Sequence, residues 1–134
     1  LWKNRGVDSI TETLNLNLRK LHLLEERLLQ NNNDDDDTNN TKLLCLYAVR
    51  FLDRQLLHYI ATTHLRSGTL FAMSHFCKPY PGASWNFSHP KESRVLERNE
   101  LATLFGKDWE ILHDDLIPDG DHGRQLIQFM AKKK

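Results

Sequence analysis

Residues 42–76 carry one uninterrupted strand–helix–strand pattern, and no other feature of the chain restricts its fold as strongly. Leu43-Leu44-Cys45-Leu46-Tyr47-Ala48 is a short continuous apolar run, which predicts a strand buried on both faces. Asp53 then opens a segment with apolar side chains at Leu56, Leu57, Ile60, Ala61 and Leu65. That spacing forms one stripe of a helix, with Arg54, Gln55, His58 and Thr62 on the wet side. Ser67-Gly68 is its stop signal, and residues 69–76 predict a second strand. Two strands joined by a crossover of this length favour a parallel pair in an α/β sheet. Ligands of such sheets bind beyond the carboxyl ends of the strands, here near residues 48–52 and 75–78.

The flanks are organised differently. Residues 1–5 read as the last turn of a helix that Gly6 ends, and residues 10–18 alternate apolar and polar side chains as a half-wet strand does. Leucines at 21, 23, 24, 28 and 29, interleaved with Glu25, Glu26 and Arg27, predict a short amphipathic helix. Four consecutive aspartates, Asp34 to Asp37, then stand among asparagines in residues 31–40. This low-complexity tract cannot bury apolar surface and reads as a solvated insertion within a single domain. Without it the zero net charge becomes 18 Lys and Arg against 14 Asp and Glu, too mild an excess to point to nucleic acid. The final Lys132-Lys133-Lys134 reads as a solubilising tail. No apolar run reaches the ~18 residues of a membrane span, and residues 1–5 lack the apolar centre of a secretory signal. Beginning at Leu1, the sequence reads as an excerpt. Its two cysteines, Cys45 and Cys77, support no disulfide framework, and a reducing, cytoplasmic setting is expected.

Past the second strand, residues 77–90 crowd Pro79, Tyr80, Pro81, Gly82, Trp85, Phe87 and Pro90 together. Proline and glycine exclude a regular helix, and three aromatics are too many for a solvated loop. Either a lid over a pocket at the strand ends or a loop packed on its own core fits. Residues 97–105 predict a short helix with Leu101, Leu104 and Phe105 on one face and Gly106 as its stop. Residues 109–113 and 126–131 read as strands, and the Pro118-Asp119-Gly120-Asp121-His122-Gly123 turn makes them an antiparallel hairpin.

The run Tyr47-Ala48-Val49-Arg50-Phe51-Leu52-Asp53-Arg54-Gln55-Leu56-Leu57, followed by Leu65-Arg66-Ser67-Gly68-Thr69-Leu70-Phe71, resembles the second half of a class I S-adenosylmethionine-dependent methyltransferase. In that family the fourth strand feeds a helix, and a Leu-x-x-Gly-Gly/Thr turn leads into the fifth. Arg98-Asn99-Glu100-Leu101-Ala102-Thr103-Leu104-Phe105 and Trp109-Glu110-Ile111-Leu112 are similar to its Glu-Leu helix and sixth strand, and residues 126–131 to its antiparallel seventh. The likeness covers residues 42–132 and, more weakly, 1–18. It implies an incomplete doubly wound, Rossmann-like, mostly parallel sheet closed by a C-terminal antiparallel hairpin. It also implies methyl transfer from S-adenosylmethionine to a small-molecule or unidentified acceptor. With six glycines and no Gly-x-Gly, the chain lacks the family's cofactor turn and its ribose carboxylate. The likeness is therefore to the C-terminal portion, inactive alone, with a partner or further segment supplying the absent strands. By the same analogy Asn17, Ala48 and Val49 flank the cofactor, and Arg50 and Phe51 the acceptor. His75 and Phe76 end the next strand on the same edge, with His75 a candidate base, and Trp85 and Phe87 shape the acceptor pocket.

Plainer readings accompany these: a locally salt-bridged Arg50 and a hydrogen-bonded structural His75. A second class is raised by His113-Asp114-Asp115 with Asp119, Asp121 and His122, residue types that ligate metal in hydrolases and that also simply favour turns. A third is a non-catalytic subunit that completes a partner's fold.

Overall fold

The structure is a computed structural model that describes residues 44–134. The expectations for residues 1–5, the strand at 10–18 with Asn17, the helix at 21–29 and the acidic insertion at 31–40 lie outside the described residues. In chain order the elements are β1 (Cys45–Val49), α1 (Arg54–Thr62), β2 (Leu70–Cys77), a 3-10 turn (Glu92–Arg94), α2 (Glu100–Phe105), β3 (Trp109–Pro118) and β4 (Gln125–Lys133).

Local chemistry accounts for most boundaries. Asp53 caps α1: its backbone is extended, and its carboxylate accepts from the Leu56 N–H at 3.1 Å. The helix ends at Thr62 rather than at Ser67-Gly68, because the Thr63 N–H closes onto the Tyr59 carbonyl and the backbone turns extended. The segment after it tucks Leu65 into the core, and Gly68, at φ 90°, makes the left-handed turn into β2.

The four strands lie in the order β1-β2-β4-β3. β1 and β2 run parallel with α1 as their crossover, whereas β4 is antiparallel to both β2 and β3. The expected doubly wound, mostly parallel sheet is therefore corrected to a small mixed sheet in which one pairing of three is parallel. The reason lies in the closing hairpin: β4 inserts between β2 and β3 and supplies both antiparallel ladders itself. A bulge between Ile111 and His113 shifts the β3 register near its start.

Both helices cover one face. Leu56, Leu57, Ile60 and Ala61 of α1 and Leu101 and Phe105 of α2 share a core with Phe71, Met73, Ile127, Phe129 and Ala131 of the sheet. Phe71 and Phe105 stack with centroids 4.7 Å apart, and the buried Trp109 indole donates to the Ala61 carbonyl at 3.1 Å. On the opposite face Tyr47, Ala72, Met130 and His113 form one cross-strand row, with no helix over it among the described residues. The expectation that β1 is buried on both faces fails here, since Tyr47 is 71% and Val49 64% exposed. No helix among the described residues is long and apolar enough to cross a membrane.

Candidate binding site at the strand ends

Four segments meet beyond the carboxyl ends of β1 and β2. The β1 ladder makes its last bond when the Arg50 N–H donates to the Ser74 carbonyl at 2.8 Å. Arg50 itself sits at φ 51°, a left-handed conformation that costs a non-glycine residue about 1–3 kcal/mol and clusters at functional sites. Its guanidinium lies over the Phe76 ring, 5.0 Å from the centroid, and its Nη2 donates to Asp119 Oδ1 at 3.0 Å. A second guanidinium, that of Arg124, also stands 5.0 Å from the Phe76 centroid. Arg124 Nη2 lies 2.8 Å from Asp119 Oδ2, and Nη1 donates to the His89 carbonyl at 2.9 Å. One carboxylate thus bridges two cations and ties the end of β1 to the β3–β4 turn. That turn is closed by the Asp119 N–H donating to the Arg124 carbonyl at 2.9 Å.

The aromatic loop forms the adjoining wall. Trp85 meets Phe76 edge-on at 6.5 Å and Phe87 at 4.8 Å, and its indole N–H donates to the Pro90 carbonyl at 2.8 Å. Phe76, Val95 and Leu126 form a small apolar cluster, with Trp85 and Ile117 packed against it. The loop is pinned where it leaves β2: the Lys78 N–H donates to the Leu96 carbonyl and the Leu96 N–H to the Phe76 carbonyl. Lys78 Nζ also meets Glu92 at 2.8 Å and Glu97 at 2.6 Å, and these two carboxylates raise the Lys78 pKa above its ordinary value.

The structure therefore brings together Arg50, Phe76, Trp85 and Phe87. Ala48 packs against the core, while Val49 and Phe51 stand exposed beside Arg50. His75 and Phe76 do end one strand at one edge, but alternation sends their side chains to opposite faces: His75 is paired across the ladder with Ile127 of the main core. His75 is 4% exposed, and its Nε2 lies 2.7 Å from the Arg94 carbonyl. A carbonyl only accepts, so Nε2 carries the hydrogen and the buried Nδ1, which has no hydrogen-bond partner, carries a lone pair. Burial pushes the His75 pKa below the ordinary histidine value; the Arg94 hydrogen bond opposes this, and the Arg54 and Arg50 charges add to it.

Arg124 had no role in the sequence reading, Asp119 entered it only as a turn residue or metal ligand, and Arg54 only as a solvent-facing residue of α1. Arg54 grips Glu100 through Nε at 2.6 Å and Nη2 at 3.1 Å, and donates to the Ser93 and Val95 carbonyls, so it fastens α1 to α2 and to the 3-10 turn. A groove of about 670 Å³ lies there between α1 and α2, and its charged groups Arg54, Glu97 and Glu100 are already engaged. The His/Asp cluster does not converge. His113 lies 3.5 Å from Asp115, Asp114 pairs with Arg98 at 2.7 Å, and Asp119 is held by the two arginines. No group of three metal-ligating side chains forms among the described residues. Comparison with family models, with characterised proteins and with solved structures finds no match to this chain.

Proposed function

We propose that this chain is the acceptor-side portion of a cytoplasmic S-adenosylmethionine-dependent methyltransferase that acts on a small molecule. The observation carrying this reading is the convergence of Arg50, Phe76, Trp85 and Phe87 beyond the carboxyl ends of a parallel, helix-connected strand pair. The succession of strand, crossover helix, strand, aromatic loop, helix, strand and antiparallel closing strand also supports it, because the family resemblance rests on that succession. Methyl transfer asks little covalent help of a protein; alignment of the acceptor and exclusion of water do most of the work. A guanidinium to orient and aromatic walls to dry the site suit that task. The described residues do not by themselves fit the cofactor, since they contain neither a Gly-x-Gly turn nor an acidic residue for the ribose. Its grip belongs to strands contributed from elsewhere in a longer polypeptide or by a partner.

The test is retention of the native protein, from cells that make it, on immobilised S-adenosylhomocysteine. Retention that free S-adenosylmethionine competes away is expected, together with no micromolar affinity for the isolated 134 residues by calorimetry. Tight binding by the isolated chain would overturn the partial-enzyme reading. Failure of native retention would overturn the methyltransferase itself.

A further inference from the structure

We infer that Asp119 is a positioning residue that holds Arg50 ready to take a carboxylate of the acceptor. The inference rests on the proposed acceptor site and narrows its substrate class.

The two arginines are not equivalent. Arg124 has a side chain 19% exposed and is committed to the His89 carbonyl and to Asp119. Arg50 has a side chain 51% exposed and spends one donor, Nη2, on Asp119. A guanidinium carries five N–H donors, and those on Nε and Nη1 of Arg50 have no protein acceptor among the described residues. Two cations share one carboxylate, so one positive charge is left over, and it resides on the exposed partner. Contact with the Phe76 face and the Asp119 bond together fix the plane of that guanidinium. A fixed fork pairs a carboxylate through two parallel bonds, which a lysine cannot do. Trp85 and Phe87 offer the apolar surface on which the body of such an acid would rest. A polynucleotide would need a track of cations, whereas the cations shown together here are Arg50 and Arg124, and Asp119 already pairs with both.

The probe is benzoate, titrated into the 134-residue chain labelled with ¹⁵N at arginine and tryptophan, with benzamide as the neutral isostere. A saturable shift of the Arg50 Nε–H and Trp85 indole signals is expected with benzoate and none with benzamide. Arg50→Lys keeps the charge and removes the fork, so it should weaken benzoate about tenfold while the Trp109 indole signal of the core stays put. Asp119→Ala leaves both guanidiniums charged but untethered, so it should remove the preference for benzoate over inorganic phosphate without removing anion binding, and Asp119→Glu should keep that preference. Equal shifts from benzamide, saturation by inorganic phosphate but not benzoate, displacement of benzoate by an oligonucleotide, unchanged affinity in Arg50→Lys or an unchanged preference in Asp119→Ala would each overturn the inference. The titration contains no S-adenosylmethionine, so its failure stands apart from a failure on the immobilised cofactor product.

Discussion

Arg50 occupies a backbone conformation that glycine adopts freely and a branched side chain resists, so its substitutions separate backbone cost from side-chain contact. Arg50→Gly removes a half-exposed ion pair, worth ~0–1 kcal/mol, and relieves the φ 51° backbone, so its stability should stay near that of the parent. Arg50→Val should fall about 1–2 kcal/mol below Arg50→Gly in urea denaturation, because a β-branched residue meets the left-handed clash in full. His75 supplies a pH signature. Its folded pKa is depressed below 6.5, so the unfolded chain binds more protons as pH falls. Stability is then full above the unfolded value and is lost as pH drops from about 6.5 through the folded pKa. The urea midpoint should fall between pH 7.5 and pH 5.5, and His75→Gln, which can still donate to the Arg94 carbonyl, should flatten that fall. Arg50 stood out in the sequence through the family resemblance, as a residue just past a strand. The part played by Asp119 was not legible: Pro-Asp-Gly specifies a turn whatever the carboxylate later meets, and its partner Arg50 stands 69 positions away.

At the scale of elements, local signals fix caps, stripes and turns but not every end, since α1 stops at Thr62, short of Ser67-Gly68. The Asp53 cap, the stripe Leu56, Leu57, Ile60 and Ala61, and the 118–123 turn are decided by neighbours in sequence. Partner choice is not: whether the hairpin docks on β2 through β3 or through β4 depends on contacts that no local pattern encodes. Continuous apolar runs mislead for the same reason, since β1 is as greasy as a two-face buried strand and yet shows Tyr47 and Val49 to solvent. The aromatic loop gives an element-scale test. Its attachments are the Trp85–Pro90 hydrogen bond, the Leu96 bridge to Cys77 and the Lys78 clamp on Glu92 and Glu97. Lys78→Ala should accelerate proteolytic cleavage within residues 79–94 while the far-ultraviolet spectrum of the sheet and helices holds. Uniform acceleration across the chain would mean that the clamp supports the whole fold rather than the loop.

For the whole molecule, one face and one edge of the sheet decide behaviour in solution. Among the described residues β1 pairs with β2 alone, so its outer edge offers a row of backbone donors and acceptors. Beside that edge, on the face away from the helices, Tyr47, Val49 and Met130 are 71%, 64% and 39% exposed. An apolar strand edge next to an apolar face is a template for pairing with another chain, and natural edges suppress this with charge, above all lysine. The β1 strand Cys45–Val49 contains no charged residue. The isolated chain should therefore associate as its concentration rises, seen as increasing scattered mass, and Val49→Lys should shift it toward monomer. Helix content should not change, because Val49 lies opposite the core that α1 and α2 cover. The same association should be absent when the strands of the proposed parent enzyme occupy that edge. A concentration-independent monomer of the isolated chain would contradict both expectations, because an edge and face already covered would leave no gap for such strands to fill.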